Sequence, residues 1–299
     1  MQPLVSVRVI TYNHVRYIAR CIEGLLMQKT DFPFEIIIGE DCSTDGTREI
    51  VQEYQTLFPD LIHLITSEQN VGAFNNSIRV SEACRGKYHA FCEGDDFWID
   101  PLKLQRQADF LESHPDYSMC FHDVVVLEER GLRPCTYTPL GASCTPVPIE
   151  DIIQNKARID TGSLMMRASV YYQLPTWRGK VCAPDVVIKL WGAYQGKVGY
   201  LPELMSVYRK HSGGMTSNLT PKEFFLDLIY ICEEFDKATD FQFTKYLQQA
   251  IKINKEQYHR YQLRRKIGYL YFVLFPHITI QRLWHRIAYI INNYKFFSE

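Results

Sequence analysis

The first 127 residues alternate between runs typical of a buried strand and runs typical of an amphipathic helix. Val5–Thr11 opens the series as an apolar, β-branched run, the pattern of a strand that is buried on both faces. The predicted strands are Val5–Thr11, Phe34–Ile38, Leu61–Ile65, Tyr88–Cys92 and Met119–Leu127. This alternation predicts an α/β fold with a Rossmann-like, mostly parallel sheet flanked by helices.

The segments between these strands carry helical signals. Apolar residues recur at spacings of three and four after Val15 and again after Ile50, and a further helix is predicted over Asn75–Ala83. Asp100-Pro101 supplies a cap residue and a first-turn proline, which predicts the start of another helix there.

The rest of the chain has a less regular pattern. Four prolines in Gly131–Pro148 predict a long surface loop. The chain is predicted to be helical after Ser217. Between these segments we predict strands at Thr161–Arg167, Lys197–Leu201 and Met205–Tyr208 and a helix over Val186–Tyr194.

Composition narrows the class of protein. Hydrophobic residues make up 46% and charged residues 22%, which argues against a disordered chain. The nine cysteines include no C-x-x-C pair, so a zinc site is not expected, and they read as reduced thiols of a cytoplasmic protein. The N-terminus reads as a first strand rather than a signal peptide, and the uncharged stretch Ile267–Gln281 is too short for a transmembrane helix.

Glu93-Gly94-Asp95-Asp96 is the sharpest local motif. Its three carboxylates follow the apolar strand YHAFC directly, and close carboxylates repel one another. A hard divalent cation such as Mg²⁺ or Mn²⁺, which prefers oxygen ligands, would relieve that repulsion. An acidic turn that caps the following helix would explain the same residues equally well.

Two more polar groups follow strands at the same predicted edge, where ligands bind in open α/β sheets. Glu40-Asp41 ends the strand FEIII, and its carboxylates could accept hydrogen bonds from a base or a ribose. The turn after it, Ser43–Thr47, is explained by helix capping alone. Tyr12 ends the first strand, where its ring could stack on a base, although a lone tyrosine more often serves packing.

Three segments together resemble the family 2 glycosyltransferases, which have the nucleotide-diphospho-sugar transferase fold called GT-A. They are VSVRVITYNHVRYIARCI, IIIGEDCSTDGTREI and NVGAFNNSIRVSEACRGKYHAFCEGDDFWIDP. The resemblance covers about residues 4–217. It implies a GT-A catalytic domain over 1–217, with a nucleotide-sugar half (1–127) and an acceptor half (128–217), followed by a helical extension over 218–299.

The resemblance also implies roles for individual residues. Tyr12 would stack on the nucleobase, and Glu40 would contact the base with Asp41 beside it. Glu93 and Asp95 occupy the first and last positions of the family's D-x-D motif. Glu93 would therefore bind the nucleotide-sugar, and Asp95, with Asp96, would bind the metal.

The acceptor half carries two further candidates. Asp185 stands where the family's catalytic base is expected, and His211 stands where some members supply a metal or diphosphate ligand. A helix N-cap is the alternative use for Asp185. A surface histidine near a glycine-rich turn is the alternative for His211.

The function that follows is transfer of a sugar from a nucleotide-diphospho-sugar, by analogy a UDP-sugar, to a hydroxyl of a glycan or lipid-linked acceptor. Asp185 would act as general base, Mg²⁺ or Mn²⁺ would assist the leaving group, and the anomeric centre would invert. We expect no nucleic-acid partner. The alternatives are a sugar-phosphate nucleotidyltransferase, which should have a glycine-rich loop that ITYNHVRY lacks, and a non-catalytic nucleotide-sugar-binding module.

The C-terminal segment differs in charge from the rest of the chain. Residues 251–299 carry nine basic and two acidic side chains, a net charge of +7, whereas the first 250 residues carry −8. Trp284 lies beside an apolar helical stripe formed by Leu283, Ile287, Ile290, Tyr294 and Phe297. The pattern favours peripheral contact of residues 260–299 with an anionic membrane face, but the stripe would equally suit packing on the catalytic domain or on a second subunit.

The membrane interpretation predicts binding to vesicles. Each basic residue near an anionic surface contributes about 1 kcal/mol, so the full chain should co-sediment with anionic vesicles at low salt and be released at high salt. A chain ending at Asp240 should stay in the supernatant. If the full chain also ignores anionic vesicles at low salt, the stripe is a packing surface.

Overall fold

The computed structural model describes residues 2–129, 131–137, 146–214 and 220–274. The chain divides into two compact units, Met1–Asn218 and Leu219–Glu299. The predicted boundary after residue 217, and the predicted donor and acceptor halves, stay predictions.

The first unit is built on one nine-stranded sheet. Its strands are β1 (Val5–Thr11), β2 (Phe34–Glu40), β3 (Ile62–Ile65), β4 (Tyr88–Glu93), β5 (Phe97–Trp98), β6 (Tyr117–Glu128), β7 (Gly131–Cys135), β8 (Met165–Arg167) and β9 (Lys197–Arg209). The order is β3-β2-β1-β4-β8-β6-β9-β5, and β7 pairs with β6 off this path. Strands β3, β2, β1 and β4 are parallel, as is the pair β6 and β9, and the remaining pairs are antiparallel. The predicted α/β fold is confirmed, and its continuous parallel run of four strands ends at β4, where β8 pairs antiparallel.

Seven α-helices of the first unit are described. They are α1 (Ile18–Leu26), α2 (Thr47–Leu57), α3 (Ala73–Ala83), α4 (Lys103–Ser113), α5 (Ile149–Ile153), α6 (Ala168–Tyr171) and α7 (Pro184–Gln195). Two short 3₁₀ helices occupy Thr161–Ser163 and Thr176–Lys180. The helix predicted from Asp100-Pro101 begins at Lys103, and the Asp100 side chain accepts a hydrogen bond from Leu102 N before it.

The central strands are apolar because helices cover them. Val5, Val7 and Val9 of β1 are fully buried and share a core cluster with the apolar face of α1. Gly24 on α1 permits a close approach to β5, since a Cβ there would lie 2.7 Å from the Trp98 carbonyl oxygen. This packing fixes the sheet so that the C-terminal ends of β1, β2 and β4 lie side by side.

Three predictions for the irregular middle were wrong in part. Gly131–Pro148 is not loop throughout, since β7 pairs with β6 and with no second described strand, and a proline such as Pro134 is tolerated in an edge strand. Residues 138–145 lie outside the described part. The first half of Thr161–Arg167 is a 3₁₀ turn because both the backbone N–H and the hydroxyl of Ser163 bond to Asp160 O. Lys197–Leu201 and Met205–Tyr208 are one strand, β9, with an irregular register opposite Asp123.

The second unit is described up to residue 274. It contains α8 (Pro221–Ala238) and α9 (Thr244–Leu274), and Thr220 with Glu223 forms a capping box at the start of α8. The helical prediction is therefore confirmed to Leu274. The predicted membrane-facing stripe, from Leu283 onward, lies outside the described residues. Among the described helices, none has the length and apolar character needed to cross a membrane.

Candidate active site

Three carboxylates meet in the turn after β4. Ligand oxygens of Glu93, Asp95 and Asp96 all lie within 4.8 Å of one another. Asp96 is buried, and Glu93 and Asp95 are partly buried. Burial and the neighbouring charge of Asp95 raise the pKa of Glu93 to about 8, and the same two causes raise the pKa of Asp96 well above its usual range. The three carboxyl groups of the predicted acidic cluster are therefore crowded together and partly removed from water, which disfavours their charged forms.

Arg209, at the end of β9, holds this turn in place. Its backbone N–H donates to Asp96 Oδ1 (2.7 Å), and its Nε donates to the backbone carbonyl of Asp95 (2.9 Å). The guanidinium carbon also lies 4.8 Å from the ring centre of Tyr17. Arg209 thus bonds to the carboxylate of Asp96 but only to the backbone of Asp95. The Asp95 carboxylate is therefore available to other partners.

Two histidines face the Asp95 carboxylate. His211 Nε2 lies 3.0 Å from Asp95 Oδ2, and His14 Nε2 lies 3.9 Å from the same oxygen. Both rings are largely buried, and the His211 ring also packs on Tyr17 at 4.6 Å. Burial lowers the pKa of His14, with the charge of Asp95 opposing it, so His14 is mainly neutral at neutral pH. A solvated surface histidine, the alternative for His211, does not fit this placement.

Asp185 lies in the first turn of α7, after Ala183 at the N-cap and Pro184 at the start of the helix. The alternative of an N-cap role for Asp185 is therefore wrong. Its Oδ2 accepts a hydrogen bond from Lys189 Nζ at 2.6 Å, one helical turn later. Burial opposes ionisation of Asp185, but the Lys189 ammonium outweighs it and lowers the pKa of Asp185.

The charges of Asp185 and Lys189 also influence the acidic turn after β4. The negative charge of Asp185 helps to raise the pKa of Glu93, and the positive charge of Lys189 opposes that rise. The start of α7 therefore lies within electrostatic range of the end of β4. The structure therefore brings Glu93, Asp95, Asp96, His211 and Asp185 to one region.

Tyr12 lies at the edge of this region with 42% of its surface exposed, although it is a large aromatic residue. The loop that carries it is bonded to the loop after β2. Asn13 N donates to Ser43 Oγ, Thr44 N donates to Asn13 Oδ1, and the distance is 2.9 Å in both cases. The Tyr12 ring is thus presented to solvent from a fixed backbone.

Glu40 is fully buried at the end of β2. One carboxylate oxygen accepts from Ser43 N at 2.6 Å and the other from Arg48 Nε at 2.5 Å. Burial would raise the pKa of Glu40, but these hydrogen bonds and the Arg48 charge lower it. Glu40 therefore supports the loop after β2, and its predicted contact with a base stays a prediction.

Asp41 joins this loop to the start of α3. Its two oxygens accept from Val71 N and Gly72 N, each at 2.9 Å. Gly72 has a φ of 84°, which suits glycine. Asp41 is almost fully buried, and both of its carboxylate oxygens already accept hydrogen bonds from the backbone of this chain.

Sequence reasoning missed four residues of this region: Arg209, His14, Tyr17 and Lys189. Only Lys189 had a usable signal, because positions i and i+4 of a helix face each other and Asp185 precedes it by four. The other three come from segments distant from the acidic turn along the chain, and no local pattern connects them to it.

Comparison with known proteins identifies the family. The model of "Glycosyl transferase family 2" matches residues 6–171. The chain belongs to glycosyl transferase family 2. TuaG of Bacillus subtilis strain 168, a putative teichuronic acid biosynthesis glycosyltransferase, is 39% identical over 267 residues, which cover 84% of this chain and 97% of TuaG. An uncharacterised Mycobacterium tuberculosis protein is 37% identical over 211 residues, and these span 70% of this chain but 60% of that relative.

Solved structures confirm the GT-A fold. S. aureus TarS 1-349 in complex with UDP-GlcNAc aligns with a TM-score of 0.65 at 20% identity, over 95% of this chain and 79% of that one. The mannosyltransferase PcManGT from Pyrobaculum calidifontis, in complex with GDP-Man and Mn²⁺, aligns with a TM-score of 0.59 at 16% identity, over 97% and 86%. At these identities the likeness concerns the fold alone.

The buried pair of Glu40 and Arg48 predicts a pH-dependent loss of stability. Arg48→Met leaves a buried carboxylate without its cation, which should cost about 2–3 kcal/mol of unfolding free energy near neutral pH. Because the folded-state pKa of Glu40 is lowered, the stabilisation is present above its unfolded-state pKa of about 4.3 and is lost as the pH falls through the folded-state value.

Denaturant unfolding of the wild type and Arg48→Met between pH 3 and pH 7 measures this. The difference between the two proteins should be largest above about pH 5 and shrink toward pH 3. Arg20→Met is the control, because Arg20 and Glu23 form an exposed pair at 3.4 Å, for which about 0.5 kcal/mol or less is expected. Equal effects of Arg48→Met and Arg20→Met at pH 7 would contradict the prediction.

Proposed function

We propose that this protein is a metal-dependent glycosyltransferase that moves a sugar from a nucleotide-diphospho-sugar to a hydroxyl of a glycan or lipid-linked acceptor. One observation carries the proposal. An exposed aromatic ring, Tyr12, a cluster of three carboxylates after β4, and a further carboxylate, Asp185, all lie at the C-terminal edge of one sheet. Membership of glycosyl transferase family 2 and the likeness to TuaG support it.

On this proposal each group has one task. Tyr12 stacks on the nucleobase, with Glu40 and Asp41 beside it, and Glu93 binds the ribose or the sugar. Asp185 takes the proton from the acceptor hydroxyl, and direct attack on the anomeric carbon inverts it. The Lys189 ammonium keeps Asp185 ionised, so that it can accept this proton.

The residues present fit a divalent cation. Ligand oxygens of Glu93, Asp95 and Asp96 lie within 4.8 Å of one another, a donor set that suits Mg²⁺ or Mn²⁺. We assign Asp95 and Asp96 as the ligands, with His211, whose Nε2 lies 3.0 Å from Asp95 Oδ2, as a further donor beside them. Burial and then the charges of Asp95 and Asp185 raise the pKa of Glu93, and a bound cation would relieve the repulsion among these carboxylates. When bound, such a cation neutralises charge on the leaving diphosphate.

The identities of the sugar donor and of the acceptor are proposed from the relatives and the similar solved structures alone. A UDP-sugar is proposed as the donor, in line with the UDP-GlcNAc bound by TarS, while PcManGT binds GDP-Man. TuaG supports a role in polysaccharide biosynthesis. We propose a cytoplasmic site of action, with residues 260–299 as a peripheral membrane contact.

Release of nucleoside diphosphate from a panel of nucleotide-sugars tests the proposal, with wild type and Asp185→Asn compared. The wild type should turn over at least one UDP-sugar. Asp185→Asn should bind UDP with near wild-type affinity, while transfer falls by roughly 10²–10⁴-fold, the usual contribution of general acid–base catalysis. Asp116→Asn is the matched control, since it removes a surface aspartate whose Oδ2 also lies 2.6 Å from a lysine, Lys197. Wild-type transfer by Asp185→Asn would show that another residue accepts the proton.

The metal part of the proposal has its own test. Asp95→Asn should abolish turnover and weaken donor binding, because it removes a proposed ligand of the cation. Chelation with EDTA should stop the wild-type reaction, and added Mn²⁺ or Mg²⁺ should restore it. Full activity of the wild type in excess EDTA would disprove metal dependence and leave the glycosyltransferase assignment intact.

A further inference from the structure

Lys103, the first residue of α4, is fully buried. Its Nζ donates to an amide oxygen, Gln107 Oε1, at 2.7 Å, and lies 4.0 Å from the ring centre of Trp98. Burial lowers the pKa of Lys103 to about 7. Both contacts are therefore made by a side chain that is costly to remove from water.

Folding stability does not account for a lysine at this position. A buried ammonium group that is bound by an amide and a ring lacks the opposite charge that would offset its desolvation. Lys103 also lies at the positive end of the helix dipole, where a cation is unfavourable. Two apolar side chains of the same size, in place of Lys103 and Gln107, would avoid both costs. The pair is therefore explained better by the segments that it holds in place.

Lys103 supports one side of the acidic turn. The turn leads directly into β5, where Trp98 follows Asp96 by two residues and is 1% exposed. Trp98 pairs with Ser206 of β9, and the Lys103 ammonium lies over its ring. The contact between cation and ring therefore fixes the strand that follows the turn.

Gln107 reaches the other side of the acidic turn. Its Nε2 donates to Ser163 O at 2.8 Å. Ser163 ends a 3₁₀ helix whose middle residue, Gly162, faces the turn, since a Cβ there would lie 3.8 Å from Asp96 Oδ2. The pair thus connects α4 to the segments on both sides of Asp96.

We propose that Lys103 and Gln107 are positioning residues of the active site, which hold the acidic turn in its geometry through Trp98 on one side and Ser163 on the other. They act through these segments rather than by contact with a substrate. The effect on activity rests on the proposed function. Displacement of a catalytic group by about 1 Å can lower a rate about 10²-fold, so a loosened turn should impair transfer even where the fold is intact.

The double variant Lys103→Met, Gln107→Leu tests this, because it removes both polar partners and largely keeps their volume. Its denaturation midpoint should stay close to that of the wild type, since removal of the buried ammonium offsets the loss of the bond to Ser163 O. Amide hydrogen exchange in residues 92–98 and 161–164 should nevertheless accelerate by about tenfold or more. Sugar transfer should fall by roughly 10–100-fold.

Ser118→Ala is the control for the loss of a buried hydrogen bond. Ser118 Oγ donates to Gly192 O at 2.6 Å near the start of β6, away from the C-terminal edge of the sheet. This variant should lose stability, while exchange at the acidic turn and transfer keep their wild-type values.

Lys103→Met alone covers the case in which the double variant fails to fold. It keeps the bond from Gln107 to Ser163 O, so faster exchange should be confined to residues 92–98.

Two results would overturn the inference. One is wild-type exchange in both segments of the double variant, and the other is faster exchange that the whole chain shares together with a lower denaturation midpoint, which indicates a purely structural role. Absence of transfer by the wild type would instead disprove the proposed function. The exchange measurement would then still decide whether Lys103 and Gln107 hold the acidic turn.

Discussion

Repulsion among carboxylates at the C-terminal edge of the sheet is the constraint on which the arrangement of this region depends. The acidic turn after β4 holds Glu93, Asp95 and Asp96 within 4.8 Å of one another and partly out of water. Such a group persists only when other elements compensate its charge. Arg209 of β9 supplies hydrogen bonds, and Lys189 of α7 supplies a positive charge near Glu93. Elements far apart in the sequence thus meet around one cluster of carboxyl groups.

The loops after β1 and β2 form the other side of this region, and hydrogen bonds hold them together. The loops after β1 and β2 are joined by side chain–backbone hydrogen bonds, in which Asp45 accepts from Val15 N and Thr47 N, both at 3.0 Å. Glu40 is neutralised by Arg48 and lies inside the loop. This network leaves Tyr12 exposed on a rigid support. His14 lies at the junction of the two sides, since its backbone belongs to the hydrogen-bonded loops and its ring faces Asp95.

The sequence predicted correctly those features whose signal lies within a few neighbouring residues, and it missed those that depend on contacts between distant segments. Strand β1 was predicted with its observed bounds because the β-branched apolar residues Val5, Val7, Val9 and Ile10 are concentrated within Val5–Thr11, as in a strand covered on both faces. Strand β7 was missed because its sequence, GLRPC, contains glycine and proline, and only its pairing with β6 makes it a strand. The acidic turn was found because its three carboxylates are consecutive but for Gly94. Arg209 was missed because its contacts with that turn span more than a hundred residues.

The sequence by itself determined the alternating α/β order, the acidic turn after a buried strand, the position of Tyr12 at the end of the first strand and the family resemblance, because each depends on residues close together along the chain. Only the tertiary structure decided that Glu40 is buried against Arg48, that Asp185 is paired with Lys189 near Glu93, and that two histidines converge on Asp95. These contacts join separate strands, loops and helices. The physical reason is that the charge state and exposure of a side chain depend on what packs around it, and this is fixed only once the sheet brings distant segments to one edge.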